Sequence, residues 1–114
     1  MSILGSKTVK GINYLESKGS AQCKSSVMLA ALNASGATDI KARKSRNHSE
    51  LLFKYLKIPI KIKKTKKHDF INIKPPKKIK AFNYQIPGDI SSSAFFMVLT
   101  ILANSSKLLI KNVN

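Results

Sequence analysis

The chain has 114 residues, 43% of them hydrophobic, and 21 Lys or Arg against 5 Asp or Glu give a net charge of +16. That length fits one small domain or part of a larger one, and the blocks of apolar residues exclude a disordered chain. A lone cysteine, Cys23, excludes an intrachain disulfide, and with two histidines it makes a poor zinc set.

Val9 to Leu15 alternate loosely and predict a strand after the Gly5-Ser6-Lys7 turn. Ser20 is a ready N-cap for a helix on which Val27, Met28, Ala31 and Leu32 recur at helical spacing. Ser35-Gly36 ends that run, and Thr38 to Ala42 predicts a short strand. Asn47 caps a second expected helix with an apolar stripe of Leu51, Leu52, Tyr55 and Leu56. Pro59 stops it. Ile60 and Ile62 open a strand of period two, and the turn Lys63 to Asp69 leads to Phe70-Ile71-Asn72-Ile73, predicting a hairpin. Pro75-Pro76 breaks the pattern before a further extended piece through Ile86. Gly88-Asp89 opens a third helix, Ser91 to Ala103, and Leu108 to Ile110 predicts a closing strand.

Strands and helices that alternate in this way indicate an α/β fold. A shift of 70 residues lays Leu29-Ala30-Ala31-Leu32 on Leu99-Thr100-Ile101-Leu102, and Ile40-Lys41 on Ile110-Lys111, a weak internal repeat of helix then strand. The N-terminus lacks a signal-peptide pattern, and the apolar stretch Ala94 to Ala103 is too short to span a bilayer. A soluble chain in a reducing, cytoplasmic setting is expected, with no membrane partner.

The basic charge suggests a nucleic-acid partner, and a small lysine-rich nucleic-acid-binding domain is the alternative reading. Its support is the stretch Lys61 to Lys80. Only Arg43 and Arg46 are arginines, the residue preferred for bidentate phosphate and base contacts. The wealth of Lys, Ile and Asn is explained as well by A/T-rich codons. No specific nucleic-acid binding is expected.

Three segments carry chemistry. Ser20-Ala21-Gln22-Cys23-Lys24-Ser25 sets a hydroxyl and an amide beside the free N–H groups of a helix start, which together suit an anion. Gly19 before it permits close approach to the backbone. An ordinary capped helix explains the same residues, and Lys24 reads as solvated or paired with a neighbour. In Ser45-Arg46-Asn47-His48-Ser49-Glu50, Asn47 and Glu50 predict a variant of the capping box. Arg46 just ahead of the cap is placed to clamp a phosphate, and His48 fits a structural role in the first turn. Pro87-Gly88-Asp89-Ile90-Ser91-Ser92-Ser93-Ala94-Phe95-Phe96 joins a rigid turn to an apolar helix that Asp89 caps.

In order and spacing these segments resemble the EPSP synthase family, the 3-phosphoshikimate 1-carboxyvinyltransferases. The resemblance covers essentially the whole chain, and implies an internal fragment, since a full enzyme is several times longer. It implies the enolpyruvyl transferase fold, built of βαβαββ units as part of a two-domain inside-out α/β barrel. Residues 1–86 would belong to one lobe and 87–114 to the start of the other, after the crossover. The family moves the enolpyruvyl group of phosphoenolpyruvate to the 5-hydroxyl of shikimate 3-phosphate, releasing phosphate, on the way to chorismate and the aromatic amino acids. No metal or organic cofactor is implied, and the full-length enzyme is expected to be a monomer. Carried over residue by residue, Ser20, Ala21, Gln22 and Arg46 would bind shikimate 3-phosphate, Ala21 mainly through its backbone, and Gln22 would also meet phosphoenolpyruvate. Asn47 stands where aspartate is common, and Cys23 where an aliphatic residue is, as a buried small hydrophobe would. The family's catalytic aspartate and lysine, and its phosphoenolpyruvate loop, have no match. The chain also stops at Asn112-Val113-Asn114, in mid-motif by the family pattern. No residue here is assigned a catalytic role, and the chain alone is expected to be inactive.

Overall fold

The computed structural model describes residue 2 and residues 4–113. The chain divides into two compact units, Met1–Lys80 and Ala81–Asn114. The first unit holds strand β1 (Asn13–Glu16), helix α1 (Ala21–Ala31), strand β2 (Thr38–Arg43), helix α2 (His48–Tyr55) and the strands β3 (Ile60–Lys64) and β4 (His68–Ile73). This βαβαββ order agrees with the sequence reading.

The four strands form one sheet in the order β1-β2-β4-β3. β1 runs parallel to β2, whereas β4 is antiparallel to both β2 and β3. Parallel neighbours need a crossover, and α1 supplies it between β1 and β2. β3 and β4 join through a tight turn in which the Thr65 hydroxyl donates to the His68 carbonyl at 2.7 Å. Alternation along the strands sets the core: Thr38, Ile40 and Ala42 of β2 and Asp69, Ile71 and Ile73 of β4 are buried. In register, Ile40 lies opposite Ile71, so the apolar residues share one face. Met28 and Ala31 of α1 and Phe53 of α2 cover that face.

Helix α2 departs from expectation. Leu51, Leu52 and Tyr55 are exposed, and Leu56 is only partly buried against the core. Glu50 and Phe53, three residues apart and so on one face, turn inward instead. The roll of the helix follows Phe53, which fills the core, and Glu50, which meets a buried partner. The helix ends with Lys57 in the left-handed region at φ 56, while the Ile58 N–H returns to the Phe53 carbonyl at 2.9 Å. Pro59 then starts the exit to β3.

In the second unit, helix α3 spans Ala94–Leu102. A turn precedes it in which the Asp89 carboxylate accepts from the Ser91 and Ser92 N–H groups at 3.1 Å and from the Ser92 hydroxyl at 2.6 Å. Asp89 thus caps the approach, and the helix begins later than the sequence suggests. The expected strand Leu108 to Ile110 does not form, nor does one between Lys77 and Ile86. A strand needs a paired neighbour, and among the described residues of this unit the pairing is a single parallel bridge, Gly88 with Val113. The repeat therefore holds for the helices and fails for the second strand. Among the described residues no helix is long and apolar enough to cross a membrane.

Candidate functional site

Because β1 and β2 are parallel, α1 and α2 both begin beyond the carboxyl ends of neighbouring strands, the usual place for ligands in α/β sheets. Glu16 closes β1 with a buried carboxylate that accepts from the Lys18 N–H at 2.9 Å and the Gly19 N–H at 2.8 Å. Burial pushes its pKa up, but the backbone N–H groups of Ser20, Gly19 and Lys18, with the charge of Arg43, outweigh burial and hold it below the usual value. Gly19 then takes φ 77, a left-handed conformation that favours glycine, and the chain enters α1.

Ser20 is the N-cap, as the sequence predicts. Its hydroxyl accepts from the Cys23 N–H at 3.2 Å and points its proton at the Gln22 Oε1 at a long 3.4 Å. A hydroxyl has one donor and two acceptor sites, so it can keep the cap while redirecting its proton to an anion. The first backbone bond of the helix is Lys24 N–H to the Ser20 carbonyl, 3.1 Å, which leaves the N–H groups of Ala21 and Gln22 without helical acceptors. Gln22 is exposed, and so is Cys23, which corrects its expected burial.

At the start of α2, Asn47 holds the cap position but its side chain makes no cap bond. Glu50 does not complete a capping box either. It is drawn inward to Lys24 of α1, with Nζ to Oε1 at 2.6 Å. The same Nζ donates to the Arg46 carbonyl at 2.9 Å, and the Ser25 and Ser49 hydroxyls meet at 2.6 Å. Thus the two sequence segments, 22 residues apart at Lys24 and Arg46, are tied side by side. The Arg46 and His48 side chains are exposed. Hydroxyl, amide, backbone N–H and guanidinium donors at one pair of helix starts suit an anion. A shallow groove of about 560 Å³ also exists, but it is lined by residues such as Leu15, Lys41 and Phe70 on the strands rather than by these helix starts.

All 114 residues match the family model for EPSP synthase (3-phosphoshikimate 1-carboxyvinyltransferase). The chain belongs to the EPSP synthase family. It is 39% identical over 112 residues to the 3-phosphoshikimate 1-carboxyvinyltransferase of Endomicrobium trichonymphae, covering 97% of this chain and 25% of that protein. To the enzyme of the same name from Leptospira interrogans it is 43% identical over 110 residues, covering 94% of this chain and 24% of the other. Among solved structures, an EPSP synthase from Acinetobacter baumannii superposes with a TM-score of 0.62 and 32% identity, over 97% of this chain and 24% of that one. The chain therefore spans about a quarter of the length of these EPSP synthases, and it carries their α/β fold.

Sequence reasoning missed the inward roles of Lys24, Glu50 and Glu16. A signal for Lys24 was present: it falls at i, i+4, i+7 with Met28 and Ala31, the buried stripe of α1. Glu50 likewise shares a face with Phe53, three residues on.

Proposed function

We propose that this chain supplies part of the shikimate 3-phosphate site of an enzyme that transfers the enolpyruvyl group of phosphoenolpyruvate to the 5-hydroxyl of that substrate. The Ser20 hydroxyl, the Gln22 amide, the Ala21 N–H and the Arg46 guanidinium hold the substrate, and Gln22 also faces phosphoenolpyruvate. The observation that carries the reading is the side-by-side placement of the two helix starts, joined through Lys24 to the Arg46 carbonyl at 2.9 Å. Residues 1–86 form part of one lobe and 87–114 begin the other. The complete enzyme is a cytoplasmic monomer that needs no metal or organic cofactor. Residues 1–114 alone, without acid–base machinery, release no phosphate from the two substrates.

The test places residues 1–114 in the corresponding quarter of the Leptospira interrogans enzyme. The hybrid is expected to turn over. Hydrogen bonds to a charged group contribute roughly 1.5–3 kcal/mol, so Ser20→Ala and Gln22→Ala should each raise KM for shikimate 3-phosphate about ten- to a hundredfold. Gln22→Ala should also lower kcat. Ser26→Ala, whose hydroxyl bonds to the Cys23 carbonyl at 2.9 Å, should change little. A Ser20→Ala hybrid with unchanged KM and kcat, beside a damaged Ser26→Ala control, would overturn the assignment.

A further inference from the structure

Lys24 is 0% exposed and Glu50 3%, an ion pair sealed between α1 and α2. Stability alone does not call for such a pair, since well-packed apolar residues of like volume commonly serve as well or better. An apolar pair has no means of holding a carbonyl, however, and the Lys24 Nζ holds that of Arg46. Lys24 lies four residues after Ser20, one turn down α1. Glu50 sits four residues after Arg46, at the base of α2. The second carboxylate oxygen of Glu50, Oε2, is buried with no hydrogen-bond partner. The Glu50 charge is thus balanced through Oε1 and Lys24. The Ser25–Ser49 contact adds a second tie between the same turns.

We infer that Lys24 and Glu50 are a positioning pair for substrate binding. Glu50 aims the Lys24 ammonium, and Lys24 fixes the backbone of Arg46 against α1. The guanidinium and the Ser20–Gln22 donors then converge on one phosphate. Neither Lys24 nor Glu50 touches the substrate. The inference rests on the substrate reading above.

The experiment uses the same hybrid enzyme, with shikimate 3-phosphate as the varied substrate. The double variant Lys24→Met/Glu50→Leu removes both charges and keeps the volume, so it is expected to fold. Its KM for shikimate 3-phosphate should rise about tenfold, in the range of measured couplings between contacting residues, with kcat and the KM for phosphoenolpyruvate little changed. The decisive readout is coupling to Arg46. Arg46→Ala should raise the KM about tenfold in the parent and less than about twofold in the double variant, because the arginine is already out of place there. A purely structural pair would leave the two Arg46→Ala effects equal, whatever the change in thermal stability. A wild-type KM in the double variant, or equal Arg46→Ala effects, overturns the inference. If the double variant fails to fold, Glu50→Gln replaces it, with the same expected rise and the same overturning result. Should Ser20→Ala have no effect either, the substrate reading itself falls; should Ser20→Ala act alone, only the positioning role does.

Discussion

Glu16 shows how a single buried carboxylate shapes the loop that delivers Ser20. Its bonds to the Lys18 and Gly19 N–H groups are stronger while it is ionised than when it carries a proton. Its pKa is lower folded than unfolded, so the stability it contributes is present above the usual carboxylate range and disappears as pH falls through the folded value. Chemical unfolding at a series of pH values should therefore find wild type more stable than Glu16→Gln at neutral pH. The gap should narrow as the solution is acidified below the usual 4.5. A gap independent of pH would contradict the role given to the carboxylate. Ser20 was legible in the sequence because a capping hydroxyl is a local feature. The Glu16 role was not, since an acid at a strand end reads the same whether solvated or folded back onto the following N–H groups.

At the scale of elements, α2 and α3 make opposite predictions. Phe53 is buried among Met28, Ile40 and Ile71 in the core cluster. Phe53→Ala should lower the unfolding free energy of the first unit by about 3–5 kcal/mol, measured in urea. Phe95 of α3 is 82% exposed in the chain, and Phe95→Ser should shift stability by about 0.5 kcal/mol or less. Comparable losses for both would show that α3 packs in solution in a way this fold does not contain. Strand and helix order was readable because Pro59, Pro75-Pro76 and the isoleucine alternation are strong punctuation. The face of α2 was not. Its leucines outnumber its one phenylalanine, and the roll is fixed by tertiary contacts, Phe53 in the core and Glu50 on Lys24. The strand predicted at Leu108 to Ile110 failed for a related reason, because alternation or apolarity supplies no partner by itself.

For the whole molecule, the net charge of +16 and the substrate reading make rival claims. Lys61 and Lys63 line the strand groove with Asp39 and Asn72, and the Asn72 amide donates to Asp39 at 2.8 Å. Such lysines act as point charges without base readout, so binding to DNA or RNA should be weak and lost at moderate salt. Filter-binding or anisotropy measurements over a salt series check this, and a sequence-preferring complex at physiological salt would contradict it. The central claim is that two helix starts form one site for a phosphorylated, hydroxylated cyclohexene carboxylate. Its most direct test is an amide-resolved NMR titration of the 114-residue chain with shikimate 3-phosphate, with unphosphorylated shikimate as the comparison. Shifts are expected at Ala21, Gln22 and Arg46 that follow one saturation curve, and none of comparable size with shikimate. Shifts confined to the lysines of β3 and the segment through Lys80, leaving both helix starts unmoved, would contradict it.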